Sequence, residues 1–506
     1  MSREVGSSLT MTAPSPERRS MLLLVVAGSV GFASGVFAYT IAAGLTGSLP
    51  SATLIAIVVA GLVAWIFQRR PVVPLVGASR GLEIVAAVAT IGALVQLTRL
   101  AVFMVDSSQP RYSFFPASDW EVHHSCVSAY FVAAQAADRV PDIYADSLYS
   151  LPQHDPQAKR KPRFIGPFKV DVYEYPPPFL IVPRLLRRVF PDFVRFRMMW
   201  FGLNSAVILF AMLMLAGALG PVAGMRALLL LPLVWAALPT IGMLQKGNAQ
   251  GMVIALAWLA MVAFERRRWA AGGALLAYAT VSKLYPGLLI VYLLVRREWR
   301  ALIWTAGFCV ALAGLTLMDM GWASYHAFLG HLPGLLGGEA FPALRTPPPV
   351  ATNFSVPGLV FKLKLFGVPG MNFATSKLIG WIYTLIAVGV IVLAARRPKS
   401  DPQRPLVWLA IIILATLRSP FLPQAYAGFP ALVLLVLLAA TSAPSPRAMA
   451  ALVLVWLVFN IFWPLDWSID PRLLALLSTI PQVAMITLAI VALKRSARDV
   501  PAAASA

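Results

Sequence analysis

Charge is scarce in this chain. Only 12% of its 506 residues are Asp, Glu, Lys or Arg, where a soluble domain carries about a quarter. With 59% hydrophobic residues and a mean hydropathy of +0.76, that shortage excludes a soluble domain and indicates a polytopic membrane protein. Acidic residues are the scarcer kind. There are 21 Asp and Glu against 42 Lys and Arg, a net charge of +21. In a soluble protein that excess would indicate nucleic acid. In a membrane protein it retains loops in the cytoplasm and meets anionic headgroups, so no nucleic-acid partner is expected. Only two cysteines occur, Cys126 in a polar stretch and Cys309 in an apolar run, which gives no basis for a disulfide between them. No CxxC and no His/Cys cluster marks a metal site, and no cofactor is expected. No internal repeat is visible, which disfavours a transporter built from two similar halves.

Long apolar runs fill the chain instead. Stretches of spanning length lie at about 21–45, 51–68, 81–105, 197–219, 226–243, 249–264, 299–318, 377–395, 405–420, 425–440, 448–463 and 473–493. The first is too long for the core of a signal peptide and reads as a helix. Between 270 and 296 two shorter runs are broken at Ser282-Lys283-Leu284-Tyr285-Pro286-Gly287, as in a broken or re-entrant pair lining a cavity. The expected fold is an all-α polytopic integral membrane protein with about 12 to 14 membrane segments. It forms one domain over 21–495, between a cytoplasmic tail 1–20 and a second tail 496–506.

Basic clusters set the orientation. With the N-terminus in the cytoplasm, Arg69-Arg70, Arg226, Arg266-Arg267-Arg268, Arg296-Arg297 with Arg300, Arg396-Arg397 with Lys399 and Arg404, Arg447 and Lys494-Arg495 all fall inside. The outer face then holds a long loop 106–196, the Gln245–Asn248 and Lys283 turns, a second loop 319–376, and the Arg418–Gln424 and Asp466–Asp470 turns. Ten of the 21 acidic residues lie between Asp106 and Asp192.

The candidate chemistry is on that face. Asp119, in Ser118-Asp119-Trp120, follows an apolar run, and the residues after it have helical spacing. An amphipathic surface helix of about 121–138 is expected, with Asp119 either its N-cap or a functional carboxylate. Phe179–Val189 reads as a second surface helix, with Arg184, Arg187 and Arg188 facing headgroups. Tyr173-Glu174-Tyr175-Pro176-Pro177-Pro178 is a rigid junction or a ligand contact. Lys246 and Lys283 lie at helix ends, where each either holds a phosphate or snorkels. His326 and His331 lie near Trp322 and Tyr325; Asn353-Phe354-Ser355 also fits a glycosylation sequon; Arg418 is a phosphate ligand or an interfacial anchor.

Ser118-Asp119-Trp120, Ile143-Tyr144-Ala145-Asp146, Tyr173-Glu174-Tyr175-Pro176-Pro177, Lys246-Gly247-Asn248-Ala249-Gln250, Ser282-Lys283-Leu284-Tyr285-Pro286 and Asn353-Phe354-Ser355 occur in a fixed order. From about 81 to 420 this set resembles the polyprenyl-phosphate-sugar-dependent glycosyltransferases of the type C fold, specifically family 87, which includes bacterial mannosyl- and arabinofuranosyltransferases. The resemblance implies transfer of mannose, another hexose or arabinofuranose from a polyprenyl-phosphate donor to a lipid- or glycan-linked acceptor hydroxyl. It places that reaction at the outer face of a bacterial cytoplasmic membrane. It implies Asp119 as catalytic base, Lys246, Lys283 and Arg418 at the donor phosphate, and Tyr144, Tyr173, Tyr175, Asn248, Gln250, His326 and Asn353 at the substrates. Three departures stand out: Gln250 where the family often has Asn, a basic stretch at 156–169, and two extra helices before residue 70. The chemistry fits independently, since a base and cations suffice for this leaving group without a metal. The alternatives are a transporter or flippase of a lipid-linked glycan, and a membrane scaffold. A transporter places ionisable residues near the bilayer midplane, and here they cluster at one face.

Overall fold

The computed structural model describes residues 16–72, 80–151, 161–396, 403–442 and 445–498. The ends of both tails, residues 156–160 of the basic stretch, Arg397 and Lys399 lie outside the described residues.

A chain this apolar has to close its backbone hydrogen bonds within each segment, and it does so as helix. The all-α polytopic expectation is borne out. Among the described residues, seven helices are long and apolar enough to cross a membrane: Leu23–Thr46, Leu49–Arg69, Arg80–Val105, Phe193–Ala218, one starting at Trp299, Phe373–Arg396 and Pro471–Lys494. Pro221–Trp235 and Leu238–Lys246, bent by 62°, make an eighth if counted together. Pro232 and Pro239 flank that bend and cannot donate to the helical ladder. The other apolar runs form shorter helices, Gln250–Glu265, Trp269–Ser282, Tyr285–Val295, Arg404–Thr416, Gln424–Ala440 and Pro446–Asn460. By length alone, seven or eight of the described helices qualify as spans, against 12 to 14 expected membrane segments. Run length overlooks breaks such as the Tyr285–Gly287 3-10 turn and Gly321, where the helix from Trp299 is interrupted at φ 71°.

Arg404–Thr416 and Gln424–Ala440 are apolar all round and buried nearly all round, so they form the centre of the bundle. Leu49–Arg69 is as apolar but buries only Ala52 and Phe67. It pairs with the helix before it through Gly31 and Gly35. A Cβ on Gly31 would lie 2.5 Å from the Ala60 carbonyl oxygen, and one on Gly35 2.8 Å from that of Ala56. Backbones this close are a membrane packing device.

The connections sort into two groups. In one, Arg404 pairs with Glu265, and Arg226 donates to the Ser442 carbonyl at 2.9 Å. These are helix ends from the basic set. The other group encloses the cavity described below.

The long first loop differs from its expected form. Helix Asp119–His123 is only five residues long, and Ser118, not Asp119, caps it by accepting from the Glu121 N–H. The chain then extends as β1 (His124–Ser125), parallel to β3 (Phe168–Val170), which pairs antiparallel with β2 (Phe164–Ile165). Helix Val127–Ala136 follows, buried except at Gln135, so no amphipathic helix covers 121–138. The long-range pairing of β1 with β3 interrupts what local spacing reads as one helix. In helix Ile181–Val189, Arg184 pairs with Asp138 at 2.7 Å and Asp319 at 2.6 Å, and Arg188 with Asp319 at 2.7 Å. Those two arginines bind protein carboxylates where headgroups were expected.

Gly31→Val should force the first two helices apart at a cost of about 1–3 kcal/mol, as overpacking does. Thermal unfolding in detergent will show the lower midpoint; an unchanged one would mean that the hairpin is loosely held.

Candidate active site

A cavity of about 1460 Å³ opens among the second group of connections. Its wall takes residues from the first loop, the Lys246–Gln250 junction, the Ser282–Tyr285 break, 341–349, 415–426 and 462–466.

The junction is built around Gly247. Helix Leu238–Lys246 ends there in the left-handed conformation, φ 67°. A Cβ would lie 2.1 Å from the Val127 side chain, so only glycine fits. The Lys246 carbonyl accepts the Cys126 N–H at 2.8 Å, drawing the end of β1 onto the junction. Lys246 Nζ meets Glu121 Oε2 at 2.6 Å, with side chains 8% and 1% exposed. Gln245 accepts the Phe114 N–H and donates to the Glu121 carbonyl. Lys246 is thus committed to Glu121.

Asn248 Oδ1 accepts the Gln250 N–H at 2.9 Å and Lys283 Nζ at 3.4 Å. This turns Asn248 Nδ2 toward Cys126 Sγ, 3.4 Å away. Lys283 Nζ also lies 5.0 Å from the centre of the Tyr175 ring. Burial pushes the Lys283 ammonium down to about 8, with Cys126 and Glu174 opposing. Burial raises the Glu174 carboxyl well above the usual range; Asp171 adds to the rise and Lys283 opposes it. Gln250 Nε2 and Tyr285 OH are buried at the wall without a partner among the described residues. Buried polar atoms of this kind ask for a ligand.

The cavity therefore gathers Lys246, Lys283, Arg418, Tyr175, Asn248 and Gln250. Arg418 donates to Thr384 at 2.6 Å and lies 5.4 Å from the Trp381 ring. Other expected site residues stand elsewhere. Asp119 is outside the wall, 89% exposed, its carboxylate 3.0 Å from His123 Nδ1. Tyr144 and Tyr173 are buried behind the wall, where their hydroxyls donate to the carbonyls of Tyr175 and Pro176. They brace the Tyr-Pro turn. His326 is exposed outside the wall. Asn353 is fully buried: it donates to the Pro420 carbonyl and accepts from the N–H groups of Leu422 and Ser355. That closes the sequon and fixes the Pro420–Pro423 wall.

Sequence reasoning missed several wall residues. His124 stacks on Trp120 at 4.8 Å, Asp171 lies across from it, and Asp466 accepts from Ser118 Oγ at 2.6 Å and the Trp120 N–H at 3.1 Å. Only the parallel β1–β3 pair and the last outer connection bring these groups in. Glu174 was legible as the single acid of the Tyr-Pro run.

Residues 173–422 match the model of glycosyltransferase family 87. No curated protein and no solved structure matches the chain. The match spans Glu174, Lys246, Asn248, Lys283, Asn353 and Arg418, and begins after Asp119, His124, Cys126 and Asp171. The expected family likeness is borne out, and glycosyl transfer is the chain's reaction class.

Asn353→Ala should leave the buried Leu422 and Ser355 N–H groups unpaired, while the Pro420 carbonyl keeps Ser355 Oγ, and cost about 3 kcal/mol, read as a lower unfolding midpoint. An unchanged midpoint together with weaker donor binding would make Asn353 a substrate contact instead.

Proposed function

We propose that this glycosyltransferase, a membrane enzyme matching family 87 over residues 173–422, takes its sugar from a polyprenyl-phosphate donor. The sugar passes to a hydroxyl of a lipid- or glycan-linked acceptor at the outer face of a bacterial cytoplasmic membrane. The observation that carries this reading is Lys283 and Glu174 in one cavity wall, each shifted toward neutrality by burial. Groups perturbed by burial beside a charge partner in a cleft mark functional sites.

Lys283, steadied by Asn248, meets the donor phosphate. Lys246 does not, because Glu121 already compensates it. Glu174 is the acceptor base in place of Asp119, which lies outside the wall. The acceptor oxygen attacks the anomeric carbon opposite the phosphate, and its proton passes to Glu174. The bond from the anomeric carbon to the phosphate oxygen breaks, and polyprenyl phosphate leaves with the electron pair beside Lys283. One such displacement inverts the anomeric centre. Leu284, Leu288, Leu332, Leu335 and Phe341 give the cavity an apolar side suited to an isoprenoid. The basic clusters on the other connections support an outward-facing cavity.

The test is transfer in lipid nanodiscs with polyprenyl phosphates carrying mannose, other hexoses or arabinofuranose. Glu174→Gln should lower kcat about 10²–10⁴-fold. Lys283→Ala should lower kcat/KM for the donor about 10²-fold, and Asp119→Asn should stay near wild type. An inactive Asp119→Asn beside an active Glu174→Gln would return the base to Asp119.

The pH profile should be bell-shaped. Activity rises as Glu174 loses its proton at a pH above the ordinary carboxylate range, and falls through about 8 as the Lys283 ammonium deprotonates. In Lys283→Arg the alkaline fall should move upward; an unmoved fall would detach it from Lys283.

A further inference from the structure

His124, Cys126 and Asp171 hold three potential ligand atoms within 4.8 Å of one another at the cavity wall. Cys126 Sγ lies 3.7 Å from His124 Nε2, and His124 Nε2 lies 3.8 Å from Asp171 Oδ2. Around a tetrahedral zinc ion, N, S and O ligands stand about 3.4–3.6 Å apart. Those two separations need to close by a few tenths of an ångström, and the third, from Cys126 Sγ to the Asp171 carboxylate and within 4.8 Å, by as much as about 1.2 Å.

The geometry points to a zinc site formed by these three side chains, with its fourth position open to the cavity. Three protein ligands with one open position is the pattern of a catalytic rather than a structural zinc. Each ligand is aimed by the fold. His124 lies in β1 and Cys126 begins the helix that follows, two residues on, so their side chains meet at the end of the strand. The β1–β3 register pairs His124 with Lys169 and Ser125 with Val170, so Asp171 comes level with Cys126. Trp120 holds the His124 ring by stacking. Asp171 Oδ1 accepts the Val172 N–H, which leaves Oδ2 facing His124.

The surroundings fit a thiolate. Asn248 Nδ2 lies 3.4 Å from the Cys126 sulfur and the Tyr426 hydroxyl 3.1 Å from it. The Asn248 amide is oriented by what its oxygen accepts, so Nδ2 is a donor here. Donors to a ligand sulfur are the outer shell that tunes metal thiolates. Three lysines are near, and one of them, Lys283, is held by the Asn248 amide oxygen. Lys246 is compensated by Glu121, and Lys169 lies over the Trp120 ring. Asn248 touches both Cys126 and Lys283, so an oxygen ligand in the open position would stand next to the proposed donor phosphate. The inference rests on the trio's geometry and stands apart from the assignment of Glu174.

The experiment uses full-length protein purified without a polyhistidine tag, in detergent. Metal content is measured first; the protein is then stripped with chelator and titrated with Zn²⁺ and Co²⁺. About one zinc per chain is expected, with a higher unfolding midpoint on zinc addition. Cobalt should give a thiolate-to-metal charge-transfer band. Cys126→Ser should lose that band, and Asp171→Asn and His124→Gln should lose zinc affinity. Asn248→Ala should bind about tenfold more weakly. Glu174→Gln should bind zinc fully while losing transfer, which separates failure of this site from failure of the proposed reaction. A folded wild type that takes up no stoichiometric zinc overturns the proposal. So does a cobalt spectrum without a thiolate band, or a band that survives Cys126→Ser, since the one other cysteine is Cys309 in the helix from Trp299. Should Cys126→Ser fail to fold, the Asp171 and His124 variants decide alone.

Discussion

The ion pair between Lys246 and Glu121 joins two parts of the chain that local sequence keeps apart. Both charges are withdrawn from water, and isolating either would cost several kcal/mol. They persist because the first loop and the helix junction close over them together. Around the pair, Gln245 ties down Phe114 and the Glu121 carbonyl, and Cys126 bonds to the backbone of Lys246. Replacing one partner alone would leave the other unpaired in this setting, so the contact fixes register as well as attraction. His124, Cys126 and, through β3, Asp171 take their places from it.

Much of the fold was legible because it is written in composition. Shortage of charge and long apolar runs gave the membrane class, and the run limits lie close to most helix limits. The number of spans was less legible, since Pro, Gly and short 3-10 turns divide apolar sequence without changing its hydropathy. The site was half legible. Lys283, Asn248, Gln250, Tyr175 and Arg418 announce themselves as polar residues at breaks in apolar sequence, and the fold collects them. Asp119 announced itself in the same way and lies outside the wall. The local pattern there is acid, aromatic, then helical spacing. The arrangement in the fold depends on a parallel strand pair some 45 residues apart in sequence, and no local periodicity carries that information.

The placement of ionisable groups also separates an enzyme from a carrier. A carrier needs its polar site reachable from either side and so near the middle of the bilayer. Here the central helices Arg404–Thr416 and Gln424–Ala440 are apolar along their buried lengths, and polar groups gather where helices meet on one side. Chemistry at such a site meets a lipid-borne substrate where its head leaves the hydrocarbon. A wall of prolines, tyrosines and buried hydrogen bonds then holds reacting groups in place.

The contact of Asp466 with Ser118 and Trp120 bears on how the protein is made. Its partners are 348 and 346 residues apart in sequence. A ribosome delivers the first loop early and the Asp466 connection near the end. Until that late hairpin has been threaded through the translocon, the cap of helix Asp119–His123 lacks its carboxylate and the cavity lacks one side. A nascent chain already carrying every residue from 173 to 422 is therefore still an unfinished catalyst, and maturation waits on its last helices.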